Sequence, residues 1–146
     1  MSTSSRFAVA VHILALMARS GDEPVKSEQM AGSVNTNPVV IRRILCVLAR
    51  AELIKSQTGA AGGSKLAREP NQITLLDVYR AVEEGSVFAL HRHSPNRRCL
   101  VGGNIGTVLR GVLDEVNLAV EQALATTTID QVLQNVRAQN KVGLRK

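Results

Sequence analysis

Asn37-Pro38-Val39-Val40-Ile41-Arg42-Arg43-Ile44-Leu45 is the stretch on which the fold of this chain turns. Asparagine followed by proline is a cap and first-turn pair. The Asn37 side chain accepts from a free amide at the helix start, where Pro38 has no N–H to lose and a φ already suited to the helix. The spacing that follows places Ile41, Leu45 and Leu48 on one buried face, while Arg42, Arg43 and Arg50 project elsewhere. Upstream, Ser27 reads as the cap of a short helix over 28–34, and Asn35 with Thr36 forms the turn between the two helices. This is the layout of a helix-turn-helix, and a helix with an apolar back and a basic front suits docking into a major groove.

Outward from that helix, 53–57 and 64–67 are two short extended runs around the glycine-rich segment 58–63, which together read as a β-hairpin wing. Lys55, Lys65 and Arg68 give it charge for phosphates. Gly59, Gly62 and Gly63 let main chain approach a phosphate or enter a groove.

The net charge of +6 and a pI near 10.0 point to a polyanionic partner. The excess is concentrated around the motif: residues 1–68 carry nine Lys/Arg against four Asp/Glu, and residues 69–146 carry nine against eight. With two Phe, one Tyr and no Trp, the core has to be aliphatic, and the stacking platforms of RNA-binding sheets are missing. Two cysteines, Cys46 and Cys99, are too few for a disulfide scaffold and fit a reducing compartment. No apolar run approaches the roughly 20 residues of a membrane span, and the start lacks the layout of a signal peptide, so a cytoplasmic protein without membrane contact is expected. There is no P-loop, no nucleotide-binding glycine fingerprint after a strand and no nucleophile constellation, which argues against an enzyme.

In chain order, Ser4 or Ser5 caps a first helix to about Arg19, with Phe7, Val11, Leu14 and Met17 or Ala18 facing the core, and Pro24 lies beyond its end. His12 within that helix reads as structural. After the wing, Thr74 and Asp77 form a capping-box pair for a helix over 75–84. Residues 91–104 read as loop. From 104 or 105 to about 125 apolar residues recur at three- and four-residue steps, a stripe too wide for one small domain to cover. A twofold partner covers it, which predicts a homodimer. Thr128 then caps a last helix over 129–138, and 141–146 is a basic tail.

Phe7 to Leu16, the helix-turn-helix, Gly62-Gly63-Ser64-Lys65-Leu66-Ala67-Arg68 and Ile73-Thr74-Leu75-Leu76-Asp77-Val78 together resemble the Rrf-two family of bacterial winged-helix transcription regulators, typified by IscR, NsrR and CymR. The resemblance is close over about the first 85 residues and looser through the cysteine region and long helix. Two positions depart from the family pattern: Ser64 stands where an aromatic residue is usual, and Glu52 where glycine is common. The resemblance implies a mainly α fold with a small β-wing. It divides the chain into a winged helix-turn-helix domain over 1–85, a sensor loop region over 86–104, and a dimerisation helix with a C-terminal helix over 105–146.

Cluster-bearing members of the family use three cysteines and a further ligand in the equivalent of 91–103. Here that region offers Cys99 alone, with His91 and His93 nearby, so neither an iron–sulfur cluster nor another cofactor or metal is expected. The resemblance to a single-cysteine subgroup that senses oxidants or quinone-like electrophiles makes Cys99 the candidate sensor. Arg97, Arg98, His91, His93 and the start of the long helix all favour its thiolate. Cys46, between Arg43 and Arg50, is a weaker candidate.

The reading is a dimeric, sequence-specific regulator of double-stranded promoter DNA, acting as a repressor. Thr36, Asn37, Val39, Val40, Arg42 and Arg43 are the candidates for base contact, with Arg50 on the same helix. Lys55, Ser56, Thr58 and Lys65 are the candidates for phosphate contact, and Gly62 and Gly63 for close backbone approach. The alternatives are a small-molecule-responsive regulator without thiol sensing, and a dimeric interaction module that no longer reads DNA. Salt-dependent DNA affinity separates the latter from the main reading.

Overall fold

The computed structural model describes residues 4–144. Contacts divide these into one unit of 4–83 with 124–144 and a second of 84–123.

The first unit begins with α1 (Arg6–Ser20), whose buried face is Ala10, Ile13, Leu14 and Met17. Phe7, Val11 and Ala18 flank that face and are only partly buried, so the apolar stripe is rotated slightly from the one the sequence suggests. Val25 bridges to the wing, and α2 (Ser27–Val34) follows. Ser27 is not its cap: Gln29 reaches back to accept from the Lys26 N–H at 3.0 Å, which makes Lys26 the flanking residue. The turn through Asn35, in left-handed conformation at φ 62°, leads to α3 (Pro38–Arg50). There Asn37 Oδ1 accepts from the Val39 N–H at 2.8 Å, as the Asn-Pro pair requires. The buried residues of α3 are Ile41, Ile44 and Leu48, while Leu45 is only partly buried against the core.

Strands β1 (Ile54–Gln57) and β2 (Gly63–Leu66) pair antiparallel, with Lys55 opposite Lys65 and Ser56 opposite Ser64. Val25 and Ser64 exchange main-chain hydrogen bonds, both at 2.9 Å, so the wing is tied to the chain before α2. A Cβ on Gly63 would meet the Val25 carbonyl oxygen at 2.7 Å, and its φ is +150°, so only glycine fits this crossing. Ser64 is buried and its Oγ lies 3.0 Å from Ser56 Oγ; this small, hydrogen-bonded side chain occupies the position where the family usually has an aromatic. Glu52 adopts φ 61°, the conformation that explains glycine as the common residue there.

A 3₁₀ turn at Pro70–Gln72 precedes α4 (Leu75–Val82), which is closed by a full capping box: Thr74 Oγ1 accepts from the Asp77 N–H at 3.1 Å and Asp77 Oδ2 from the Thr74 N–H at 3.0 Å. The unit is completed by the last helix, α6 (Ile129–Leu144), which packs on α1. Ile129 is fully buried in the same core as Ile13 and Ile73, its N–H donating to the Ile73 carbonyl at 2.9 Å. Grouping 105–146 as one segment, as the sequence suggests, therefore differs from this packing, in which the last helix belongs with the winged unit.

The second unit holds α5 (Leu100–Ala125), of which no residue is buried. It starts four or five residues earlier than the sequence suggests. Residues 91–104 read as loop, but Gly102 and Gly103 let the first turn of the helix lie directly on the preceding main chain. A Cβ on Gly103 would stand 2.8 Å from the Arg97 carbonyl oxygen, and one on Gly102 would collide with the Asn96 carbonyl oxygen. Asn117 fixes the segment leading into the helix, accepting from the Val87 N–H at 3.2 Å and donating to Ser86 Oγ at 3.1 Å. Among the described residues no helix is long and apolar enough to cross a membrane.

Candidate nucleic-acid interface

Because Ile41, Ile44 and Leu48 turn the back of α3 into the core, the opposite side must face outward. Val39, Arg43, Cys46 and Arg50 follow at three- and four-residue steps along that side, and all are exposed. Val39 and Val40 are 46% and 39% exposed at the first turn, where burial gives no reason for two valines. Arg42, one position round, approaches Glu28 of α2 at 3.8 Å.

A cleft of about 390 Å³ lies between this helix pair and the wing, lined on one side by Lys26, Glu28 and Arg42 and on the other by Gln57, Gly62 and Gly63. The fold thus brings Arg42 of the candidate base-reading group against Ser56, Gly62 and Gly63 of the wing. Lys55 and Lys65 face each other across the hairpin, a like-charged pair that destabilises a bare sheet and that a polyanion would relieve. Thr58 is exposed in the hairpin loop. Thr36 is half-buried in the turn, with its N–H donated to the Ala31 carbonyl at 3.0 Å. Asn37 is exposed, but its side-chain oxygen is engaged in the cap. Lys26 and Gln57 line the cleft although the sequence reading did not single them out. Both sit at the margins of elements, where periodicity is silent; the basic charge of Lys26 directly before α2 was the available signal.

Cys46 and Cys99 are both exposed free thiols. Cys99 sits immediately before α5, where its thiol accepts from the main-chain N–H of Gly102 and, more weakly, of Val101; these hold its pKa below the ordinary value against a small desolvation effect. The groups responsible are amides of the helix start rather than the arginine and histidine side chains the sequence suggested.

The family model that matches this chain is Rrf2, described as an iron-dependent transcriptional regulator, and it spans residues 3–135. The chain is 42% identical over 134 residues to YwnA of Bacillus subtilis, covering 91% of this chain and 98% of YwnA. It is 27% identical over 136 residues to the HTH-type transcriptional regulator IscR of Cereibacter sphaeroides, covering 92% of this chain and 87% of that protein. The solved structure of T. potens IscR superposes with a TM-score of 0.70 at 25% identity, over 93% of this chain and 88% of that one. The iron in the family description is not matched by a donor set here: among the described residues no three His, Cys, Asp or Glu side chains come together, and Cys99 is the lone thiol of its segment. With a winged helix-turn-helix, a basic outward face on α3 and a match across nearly its whole length, the chain belongs to the Rrf2 family of DNA-binding transcriptional regulators, which are not enzymes.

Proposed function

We propose that the chain acts as a homodimeric repressor that places two copies of α3 in successive major grooves of a promoter and releases it when Cys99 is modified. The observation that carries the DNA reading is the outward side of α3, where exposed valines and arginines stand together with no structural task to explain them. Arg43 suits bidentate pairing with guanine, and Val39 or Val40 a thymine methyl. Lys55, Ser56, Thr58, Lys65 and the Gly62–Gly63 main chain serve the phosphates. The dimer rests on α5: Val108, Val112 and Leu118 are at least half exposed along a helix that buries nothing within its own chain. Apposed apolar stripes from two copies would make an isologous interface and set the reading helices about 34 to 36 Å apart.

The sensing step rests on the exposure of Cys99 and its amide-stabilised thiolate at the root of α5. The thiolate would add to an electron-poor carbon of a quinone: the C–S bond forms as the ring C=C π bond breaks and its electrons pass to a carbonyl oxygen, and loss of the proton from that carbon with protonation of both oxygens leaves an aromatic hydroquinone thioether. The adduct adds bulk at the helix start, where Gly102 and Gly103 leave no room beside the 96–97 main chain.

The test is a gel shift on DNA upstream of the chain's own operon, over a salt series, with sedimentation of the free protein. A dimer that binds one symmetric site, with affinity falling steeply as salt rises, is expected. Absence of binding at low salt overturns the DNA reading, and a monomer at micromolar concentration overturns the dimer.

A further inference from the structure

Between α1 and α6, on the winged unit and away from the α3–wing cleft, lies an apolar trough of about 630 Å³. Its walls include Phe7, Leu16, Leu75, Val132 and Val136, and Val136 remains 55% exposed. A second cavity of about 480 Å³ shares Arg19, Leu133 and Val136 with it and adds Arg137 and Asn140, so two arginines border the adjoining end of the trough. Neither Arg19 nor Arg137 is in an ion pair among the described residues. Along its wall His12 and Ser33 are hydrogen-bonded to each other, Nε2 to Oγ, at 2.8 Å.

We infer that this trough is an effector site for an amphipathic organic carboxylate, such as a medium-chain fatty acid or an alkyl-substituted aryl acid. Its volume is that of a small-molecule site, with predominantly apolar walls and few polar groups, the two arginines bordering one end. Apolar walls alone would fit any greasy partner; the charge at the mouth selects an anion. Two arginines beside one opening are well suited to hold a carboxylate through paired N–H donors, while the hydrocarbon body displaces water from Leu16, Leu75 and Val132. The Leu75 N–H donates to the Thr127 carbonyl at 2.8 Å, and 126–128 joins α6 to α5, so the trough borders the segment between the two helices. This inference rests on the regulator reading only for its consequence, since ligand binding is measured without DNA.

The experiment is calorimetric titration of sodium decanoate, kept below its micelle concentration, into the full chain, with decanol as the uncharged probe. One decanoate per chain is expected, with decanol weaker by about tenfold or more. Replacing Arg19 and Arg137 together by Gln should weaken decanoate by a similar factor while leaving decanol unchanged. Val136→Asp, at an exposed position that spares the core, should abolish the binding of both. Equal affinity for decanol, many decanoates per chain insensitive to Val136→Asp, or no binding at all overturns the inference. So does a finding that these substitutions change the oligomeric state instead, which would assign the trough to a second copy of the chain. Failure of operator binding in a separate gel shift would strike the regulator reading and leave the titration untouched.

Discussion

Glu28 of α2 and Arg42 of α3 face each other at 3.8 Å across the cleft beside the wing, with their side chains 68% and 59% exposed. So exposed a pair contributes little to the fold, on the order of 0–1 kcal/mol, but it places a carboxylate where phosphates would approach and occupies a cation that would otherwise meet them. Glu28→Gln is therefore expected to leave urea denaturation nearly unchanged and to tighten binding to any duplex. Arg42→Ala should weaken binding and lower the slope of log affinity against log salt by about one. If Glu28→Gln weakens binding, the carboxylate serves the interface rather than screening it.

Arg43 and the Lys55/Lys65 pair separate reading from positioning. Arg43→Ala should cost roughly 1–3 kcal/mol on the operator and relax preference at one position. Lys55→Ala or Lys65→Ala should weaken all sequences alike and lower the salt slope by about one each. Because the two lysines oppose each other across the hairpin, either substitution should also stabilise the free protein slightly, by a few tenths of a kcal/mol. Competition binding against a panel of single-base operator variants distinguishes the two behaviours.

Glu52 holds a left-handed conformation without the freedom of glycine. Relieving that strain is worth about 1–2 kcal/mol, and the added chain entropy of glycine takes back about 0.5–1 kcal/mol. Glu52→Gly should consequently raise stability by about 0.5–1 kcal/mol in urea melts. A destabilised variant would mean that the Glu52 side chain contributes contacts outweighing the strain.

For Cys99 the prediction concerns pH. Its folded-state pKa is depressed by the Gly102 and then the Val101 amide, so iodoacetamide labelling of Cys99 in the native protein should reach half its maximal rate at lower pH than in the urea-unfolded chain. The sign for stability follows: the thiolate favours the fold above the unfolded thiol's pKa, and that contribution is lost as pH falls through the folded pKa. Operator affinity should drop after treatment with a quinone in wild type and Cys46→Ser, and remain unchanged in Cys99→Ser. A Cys99→Ser protein that responds like wild type removes Cys99 from the signal path.

Ile129 tests the docking of the last helix. It is fully buried in the core shared with Ile13 and Ile73, so Ile129→Ala should cost roughly 2–5 kcal/mol. A cost within a few tenths of a kcal/mol, read from the same urea melts, would show that α6 contributes nothing to the stability of the winged unit.

The local chemistry of the chain was sufficient for the reading unit. Asn37-Pro38 starts α3, Thr74 and Asp77 close a capping box, and the two extended runs pair as a wing, because caps, turns and short hairpins are settled by residues within a few positions of one another. What tertiary structure decided lies at longer range. Ile129 joins a core built by residues more than forty positions earlier, and a helical stripe cannot say which partner will cover it. The first turn of α5 has room for no side chain at Gly102 and Gly103, because the Asn96 and Arg97 main chain lies against them. Arg42 meets Glu28, and Lys55 meets Lys65, only once the helices and wing are in place. Periodicity tells which side of an element is apolar; which groups meet on the other side depends on distances that the folded chain alone creates.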